Sequence, residues 1–535
     1  MKTKEAIRKL LSINGSSLEI EDIVNMARKL DDRKTVLSKD SVIRMECSDN
    51  FKNRMIDTKQ PIYGVTTGFG DSSRYQISPE KTADLQLNMV KYHLNGTGPT
   101  ASDDVIRATM LIRANCLAKG NSGIRPVVVH QLLEYLNKDI IPVIPERGSV
   151  GASGDLIPLS YLASAIIGEG QVKCKGQIRD IKEVLDENSV NPIVLEAKEG
   201  LSLINGTSFM TAFAVLAVWD AKELAFVADL CTAMATEALM GDRGHFHPFI
   251  HQVKPHEGQL ESARLIYEML SESRLARDKI LSLNNEFEEK GYQEWDRPIQ
   301  DRYSIRCAPH VTGVLRDTIR WVKQWVEVEC NSSNDNPLFD VNSRHVYNGG
   351  NFYGGHIVQA MDSLKVAVSN IADLLDRQLE LVVDEKFNNN LTPNLIPRFD
   401  PEDYESGLNH GFKGMQLASS AITAEALKMS GPVSVFSRST EAHNQDKVSM
   451  GTIAARDART IIELVREVSA IHLLVLCQAL ELRGVEYMGD KTQAAFYLVR
   501  EQVPFVDRDR RMDQDIQRVV ELIKTGRLRN VVGNV

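Results

Sequence analysis

Hydrophobic residues recur with helical spacing over long stretches in the second part of the chain. Up to about residue 200 the apolar runs are short, and glycines and prolines interrupt them, which indicates many turns. Because leucine, valine and alanine lie on more than one face of the later stretches, these helices should bury most of their surface against each other. The pattern predicts a mainly α fold, with a loop-rich N-terminal region and a bundle of long central helices over Ser208 to Met240, Val311 to Cys330, Met361 to Glu385, Gly414 to Met429 and Thr452 to Leu482.

The same change of pattern predicts the domain organisation. We expect an N-terminal domain over residues 1–200, a central long-helix bundle over residues 201–485 and a C-terminal helical segment over residues 486–535. A chain of 535 residues is long enough for such a division.

Charge and cysteine usage limit the partners and the compartment. The formal charge of -9 comes from 72 acidic and 63 basic residues without a basic block, so a nucleic acid partner is not expected. The 7 cysteines form no CxxC pair, which favours reduced thiols and a cytoplasmic protein. The most apolar stretch, Ser208 to Met240, carries Asp220, Lys222, Glu223 and Asp229, so we expect a buried helix there and no membrane partner.

A glycine-rich segment at residues 148–156 reads GSVGASGDL. A dinucleotide-binding loop needs GxGxxG after a strand, whereas glycines recur here at every third position without a clear strand before them, so that interpretation is weak. A phosphate-binding loop ends in GK[ST], but Asp155 follows Gly154 and would repel phosphate. Asp155 also occupies the position where a nucleophile elbow needs its final glycine.

Two interpretations of the tripeptide Ala152-Ser153-Gly154 remain: an ordinary turn and a segment that reacts chemically with itself. If the Gly154 amide nitrogen attacked the Ala152 carbonyl, a five-membered ring would close, and loss of water from Ser153 would leave an electrophilic methylidene. Small residues on both sides of Ser153 permit the tight bend that this cyclisation needs. The tripeptide by itself favours the ordinary turn, so other segments must decide.

Those other segments resemble the ammonia-lyases and aminomutases that carry the prosthetic group 4-methylideneimidazol-5-one (MIO). The resemblance extends in family order over nearly the whole chain, through GSVGASGDLIPLSYLASAIIGEG and through PIYGVTTGFG, KEGLSLINGTS, QDRYSIRCAP, NSSNDNPLF, GGNFYG and HNQDKVSMG. It implies that MIO forms autocatalytically from Ala152-Ser153-Gly154, without a metal. It also implies a homotetramer in which segments of neighbouring chains build each site.

The resemblance assigns roles to residues on either side of the substrate. Tyr63, in the YGVTTG segment, matches the base that removes the β-proton, although a phenol with a pKa of about 10 would need its anion stabilised. The glycines Gly64, Gly68 and Gly70 then suit a lid loop over the site. Arg306 matches an arginine that pairs with the substrate carboxylate, and Tyr303 matches a second site tyrosine.

Amide side chains complete the implied site. Asn205 and Asn336 match asparagines that donate hydrogen bonds to the ring carbonyl and the carboxylate region, where neutral donors would stabilise a growing negative charge. Gln300 and Gln445 match residues that line the same site. Without the resemblance, the sequences NGT and DNP around the two asparagines would indicate turns only.

The substrate is expected to be tyrosine. Histidine-specific relatives have QEDHVSM where this chain has HNQDKVSM around Gln445. His93-Leu94 resembles the His-Leu pair of tyrosine-selective relatives, and a histidine can pair with the phenol hydroxyl. Glu441 departs from this pattern towards plant phenylalanine enzymes, and Tyr353 replaces the usual histidine of NFHG, so mixed selectivity stays open.

Lyases and aminomutases share the elimination step and differ in whether ammonia is returned to the β-carbon. The segments PIYGVTTGFG, LAKGNSGIRP and NDNPLF resemble tyrosine 2,3-aminomutases slightly more than lyases. We therefore expect conversion of L-tyrosine to β-tyrosine through p-coumarate. The alternatives are a tyrosine or phenylalanine ammonia-lyase, a histidine ammonia-lyase, or a helical assembly protein without chemistry.

Overall fold

Helices dominate the protein, as the apolar pattern predicts. The computed structural model describes residues 10–278, 291–292 and 298–533. In chain order the helices are α1 (Ile20–Ala27), α2 (Lys39–Asp57), α3 (Thr82–Tyr92), α4 (Asp103–Ala118), α5 (Pro126–Lys138), α6 (Leu156–Ile166), α7 (Ile181–Glu187), α8 (Glu199–Ile204), α9 (Ser208–Ala238), α10 (Pro248–Gln252), α11 (Glu257–Met269), α12 (Tyr303–Arg306), α13 (Ala308–Cys330), α14 (Gly355–Val383), α15 (Lys413–Met429), α16 (Gly451–Arg483), α17 (Asp490–Arg500), α18 (Asp513–Lys524) and α19 (Arg527–Gly533).

The long helices confirm the predicted fold class. The predicted stretches correspond to α9, α13, α14, α15 and α16, with ends that differ by a few residues. Nearly every residue of α9 is buried, which explains why its sequence is apolar around the whole circumference. Within the described residues, no helix combines the length and the apolar content needed to cross a bilayer.

The strands are short, and those in the described residues form four small sheets. In the first sheet β1 pairs with β2 in parallel, and the remaining strand pairs are antiparallel: β3 with β5, β4 with β6, β6 with β7, and β8 with β9. The strand bounds are β1 (Leu10–Ile13), β2 (Lys34–Leu37), β3 (Thr97–Thr100), β4 (Ile141–Pro142), β5 (Pro145–Arg147), β6 (Gln171–Cys174), β7 (Gln177–Asp180), β8 (Leu338–Asp340) and β9 (His345–Tyr347).

Contacts divide the chain into two compact units, each assembled from three stretches. Unit 1 comprises residues 1–219, 322–362 and 432–459, and unit 2 comprises residues 220–321, 363–431 and 460–535. The chain passes between the units inside α9, α13, α14 and α16, and once more at residues 431–432, between α15 and α16. The predicted boundaries at 200 and 485 follow the sequence pattern instead of these contacts, and they stay predictions.

Buried polar side chains tie the helices of unit 2 together. Gln378 on α14 donates hydrogen bonds to Thr232 Oγ1 on α9 at 2.9 Å and to the Ser304 carbonyl on α12 at 2.8 Å. Arg316 on α13 binds the fully buried Asp229 on α9 at 2.6 Å. Such paired groups lower the cost of burying polar atoms, since an unpaired partner would lose its hydration without replacement.

Candidate active site

A cavity of about 520 Å³ in unit 1 collects most of the predicted site residues. It lies where the tripeptide segment, the loop after α2, the end of α3, α8 and the segment before α16 meet. The predicted residues that line it are Tyr63, Gly70, His93, Ala152, Ser153, Gly154, Asn205, Asn336, Glu441 and Gln445. The fold thus brings together, within one unit, residues that are far apart in sequence.

The tripeptide lies in a turn that only small residues can form. Gly154 has a left-handed φ of +72°, and a Cβ atom on it would lie 2.1 Å from the Gly206 carbonyl oxygen. The two segments are joined on both sides, because Asp155 N–H donates to Gly206 O at 2.7 Å and Gly206 N–H donates to Ser153 O at 3.3 Å. Within the described residues the Gly154 amide donates no hydrogen bond. Ser153 is half-buried, whereas Ala152 and Gly154 are buried.

Asp155 anchors this turn, a role that the sequence did not reveal. Its fully buried carboxylate accepts hydrogen bonds from Met210 N–H at 2.8 Å, from the Ser149 hydroxyl at 3.0 Å and from the Thr452 hydroxyl. Burial raises the pKa of Asp155 to about 6, and the donated hydrogen bonds oppose that shift. In the sequence, the only signal was a carboxylate placed directly before an apolar helix.

Amide side chains surround Ser153. Asn205 Nδ2 donates to the Ser153 carbonyl at 2.9 Å, and Asn205 Oδ1 accepts from Asn336 N–H at 2.8 Å. The Asn336 side chain accepts from Gly349 N–H at 2.7 Å. From the other side, Gln445 Nε2 lies 3.4 Å from the Ser153 hydroxyl oxygen. Neutral donors therefore face the tripeptide, in keeping with stabilisation of negative charge there.

Tyr63 also lines the cavity, and the turn that follows it holds its hydroxyl. Gly70 N–H donates to Tyr63 Oη at 3.0 Å. Burial raises the pKa of Tyr63, and the nearby carboxylate of Glu441 raises it further, whereas the Gly70 hydrogen bond lowers it. Within the part of the chain that the structure describes, the surroundings therefore favour the protonated phenol.

The predicted lid glycines pack closely against their neighbours. Gly64 and Gly70 have left-handed φ values of +63° and +56°. A Cβ atom on Gly64 would lie 2.8 Å from Leu201 and from Phe69, and one on Gly68 would lie 2.5 Å from Ser72. Close approach of the backbone explains these glycines, and movement of the loop as a lid stays a prediction.

His93 follows the last residue of α3 and lines the cavity. Its Nδ1 lies 2.8 Å from the Met89 carbonyl, which can only accept, so Nδ1 carries the proton. Burial lowers the pKa of His93, which keeps the ring neutral and leaves Nε2 as an acceptor. Tyr92, which the sequence did not single out, contacts the His93 ring in a tilted arrangement with ring centroids 4.3 Å apart and also lines the cavity. Leu94 is half-buried and is not among the residues that line the cavity.

Three predicted residues belong to unit 2. Tyr303 and Arg306 lie on α12, and Gln300 lies in the exposed segment before it. Arg306 Nε donates to the Asp301 carbonyl at 3.1 Å, and its guanidinium carbon lies 4.4 Å from the centroid of the Tyr303 ring. Tyr303 is 71% exposed. The cavity lining consists of unit 1 residues, so their contribution to a site stays a prediction.

The segment 349–355 lies between two cavities of unit 1. Phe352 lines the cavity at Ser153, whereas Tyr353 lines a second one together with Trp325 and Glu329. Tyr353 Oη donates to the Val448 carbonyl at 3.5 Å. Among the described residues, no group of histidine, cysteine, aspartate or glutamate side chains could hold a metal ion.

Comparisons with known proteins show which family and which solved structures the chain resembles. The model of the family described as aromatic amino acid lyase matches residues 18–501. A protein named histidine ammonia-lyase from Clostridium tetani is 38% identical over 97% of both chains. The crystal structure of a tyrosine aminomutase from Streptomyces globisporus is 34% identical with a TM-score of 0.92 over 98% of both chains. A structure named Pantoea agglomerans phenylalanine aminomutase is 34% identical with a TM-score of 0.90, over 96% of this chain and 98% of that one.

These matches extend over nearly the whole length of the chain and confirm the resemblance found in its sequence segments. The matched range includes the tripeptide, the Tyr63 loop and the segment that carries Gln445. The protein therefore belongs to the aromatic amino acid lyase family, the group of ammonia-lyases and aminomutases.

Proposed function

We propose that the protein is a tyrosine 2,3-aminomutase that converts L-tyrosine to β-tyrosine through p-coumarate, with MIO made from its own Ala152-Ser153-Gly154. One observation carries the proposal: a neutral His93, whose Nε2 can accept a hydrogen bond, lines the same cavity as Ser153 and Tyr63. That arrangement offers a partner for a phenol hydroxyl in the same cavity as the reacting groups.

The residues present fit the prosthetic group. The amide nitrogen that must attack the Ala152 carbonyl belongs to Gly154, which uses it in no hydrogen bond among the described residues. Asn205 already donates to the Ser153 carbonyl, which would become the ring carbonyl. Ala152 packs against Val448 and Met450, so the turn has a firm support. When formed, MIO supplies the electrophile that makes the substrate amine a better leaving group.

The chain's own residues then bind the substrate and move protons. Tyr63 is the group to take the β-proton, because its hydroxyl lines the cavity and is held by Gly70. Since its pKa is raised, it must gain a favourable electrostatic partner before it can act as a base near neutral pH. We assign that partner, and the carboxylate ligand Arg306, to neighbouring copies in a homotetramer.

The assembly proposal has its own test. Inactive Tyr63→Phe and Ser153→Ala chains, mixed by co-expression, should recover part of the activity if a site combines residues of different copies. Absence of recovery in tetramers that are shown to be mixed would contradict shared sites. We also expect the enzyme to work in the cytoplasm, where its 7 free thiols would stay reduced.

Incubation with L-tyrosine, L-phenylalanine and L-histidine, followed by chromatography of the products, tests the reaction. We expect tyrosine to give β-tyrosine, with p-coumarate as a minor product. Accumulation of p-coumarate and ammonia alone would make the protein a lyase. Histidine ammonia-lyase is the second candidate because curated relatives at 38% identity carry that name, and turnover of histidine alone to urocanate would establish it.

Mass spectrometry of the intact protein tests the prosthetic group without any turnover. Cyclisation and dehydration remove two waters, about 36 Da. The Ser153→Ala chain should keep one or both of these waters. It should show no turnover, and its melting temperature should stay near that of the wild type. A wild-type chain of full mass would contradict the prosthetic group, and an active Ser153→Ala variant would contradict its role.

A further inference from the structure

Glu441 contacts the turn that holds the Tyr63 hydroxyl. Its Oε1 accepts a hydrogen bond from Asp71 N–H at 3.2 Å. A Cβ atom on Gly70 would lie only 2.0 Å from the same oxygen, so the carboxylate packs directly on the glycine backbone. Gly70 N–H in turn donates to Tyr63 Oη at 3.0 Å. Carboxylate, turn and phenol therefore form one continuous series of contacts within unit 1.

Glu441 reaches this turn from a strained piece of backbone. Glu441, Ala442 and His443 have left-handed φ values of 51°, 49° and 62° in succession. Non-glycine residues avoid this region, and they keep it only where the surrounding structure enforces it. Here Thr440 and Gln445 close the turn through backbone hydrogen bonds of 3.0 and 3.2 Å. The strained backbone is therefore held in place, and it directs the Glu441 side chain towards the Gly70–Asp71 turn.

Thr440 and Gln445, which close this turn, also link it to the tripeptide. The Thr440 hydroxyl donates to Gln445 Oε1 at 3.0 Å, which leaves Gln445 Nε2 directed towards the Ser153 hydroxyl at 3.4 Å. One short segment therefore contributes two groups to the cavity: Gln445 beside Ser153 and Glu441 beside the turn that holds Tyr63.

Several titratable groups face this part of the cavity. Tyr92 and His93 come from the end of α3, and Glu441, Asp446 and Lys447 come from the segment before α16. The Glu441 charge raises the pKa of both Tyr63 and Tyr92. Burial and the Gly70 hydrogen bond act on Tyr63 without charge, whereas Glu441 acts through its charge. Its removal should therefore lower the pKa of Tyr63.

We propose that Glu441 is a positioning residue that holds the Gly70–Asp71 turn against the Tyr63 hydroxyl and thereby sets both the place and the proton affinity of that hydroxyl. This role differs from the part in substrate selectivity for which the sequence brought out Glu441. The proposal rests on the proposed function only where it assigns proton transfer to Tyr63. The contacts themselves belong to the resting protein.

Hydrogen exchange of the resting protein tests the positioning directly. Glu441→Ala removes the acceptor, so the amides of the Gly70–Asp71 turn should exchange roughly 3- to 10-fold faster, as expected for loss of one hydrogen bond. Glu441→Gln keeps an acceptor oxygen and should exchange at nearly the wild-type rate. Glu80→Gln is the matched control, because it neutralises an exposed carboxylate in the next short helix, Pro79–Lys81. Equal exchange in wild type and Glu441→Ala would overturn the proposal.

The pH dependence of kcat/KM tests the effect on proton affinity. If Tyr63 must lose its proton, the limb that rises with pH follows the pKa of Tyr63, and loss of the Glu441 charge moves that limb to lower pH. Glu441→Gln should show this move, and Glu80→Gln should not. Glu441→Ala should in addition lower kcat by about tenfold or more, because the hydroxyl is no longer held in place.

The outcomes separate this proposal from the proposed function. A limb that stays at the wild-type pH in Glu441→Gln overturns the claim on proton affinity. Failure of the wild type to turn over any aromatic amino acid overturns the proposed function, and the exchange experiment still decides whether Glu441 holds the turn. Near-normal turnover by a Tyr63→Phe variant would show that Tyr63 does not transfer the proton. The hydrogen-exchange experiment would still decide whether Glu441 holds the turn.

Discussion

The substitution His93→Phe gives the sharpest test of substrate choice. His93 Nδ1 donates to the Met89 carbonyl at 2.8 Å, and burial lowers the pKa of the ring, so Nε2 is an acceptor at neutral pH. A phenol hydroxyl of the substrate can donate to that nitrogen, and a ring without the hydroxyl leaves it unpaired. Phenylalanine in place of His93 keeps a planar ring against Tyr92, whose centroid lies 4.3 Å away, but removes the acceptor.

The change in the ratio of kcat/KM depends only on the hydrogen bonds whose loss affects one substrate and not the other. The Met89 carbonyl loses its donor in the variant whichever substrate is bound, so that cost cancels in the ratio of specificity constants. What remains is the buried phenol hydroxyl without a partner, which costs about 1 to 3 kcal/mol. This corresponds to a change of roughly 5- to 150-fold in the ratio of kcat/KM for tyrosine over phenylalanine. Glu441 lines the same cavity and offers another acceptor, so we expect the lower part of that range.

The assay compares both substrates in competition on wild type, His93→Phe and the control Lys91→Gln. Lys91 lies on the same helix but is exposed and pairs with Glu169 at 3.3 Å. The ratio should fall in His93→Phe and stay at its wild-type value in Lys91→Gln. An unchanged ratio in His93→Phe would mean that His93 does not contact the substrate ring, and the preference for tyrosine would lose its main support.

Three further predictions concern stability, each measured by thermal unfolding. Arg316→Met leaves the buried Asp229 without its cation and should destabilise the protein by about 3 to 5 kcal/mol, and a second substitution of Asp229 by Leu should restore much of the loss. Burial raises the pKa of Glu237 from 4.5 to about 7, so stability should fall as pH rises across that interval by about 3 kcal/mol, and Glu237→Gln should remove this component. Ala442→Gly relieves a left-handed φ of 49° and should stabilise the protein by about 0.5 to 1 kcal/mol, whereas a loss of stability would contradict the strain.

The helical fold could be predicted from the sequence because the pattern that marks a helix involves residues close together in the chain. The 3.6-residue period of apolar side chains marks which stretches lie in a helical core, and the observed helices α9, α13, α14, α15 and α16 follow the predicted stretches within a few residues. The tripeptide was recognised differently: its small residues only permit the cyclisation, and the resemblance of the surrounding segments to a known family decided the interpretation. The way these stretches divide into compact units was not readable, because it depends on contacts between residues far apart in the chain.

Some residues of the candidate site could be predicted from short sequence segments, whereas others became evident only in the structure. Resemblance of short segments brought out Tyr63, Ser153 and Asn205, which the structure collects around one cavity. The anchor Asp155 and the contact of Glu441 with Asp71 were hidden, since each hydrogen bond joins segments that are separated by tens or hundreds of residues.

The sequence by itself determined that the chain is mostly helical and that it carries the tripeptide with its surrounding motifs. Only the tertiary structure decided the protonation of the His93 ring and the direction of the Tyr63 hydroxyl. The physical reason is that proton affinity and hydrogen-bond geometry depend on burial and on the charges nearby, and both arise only when distant segments pack together.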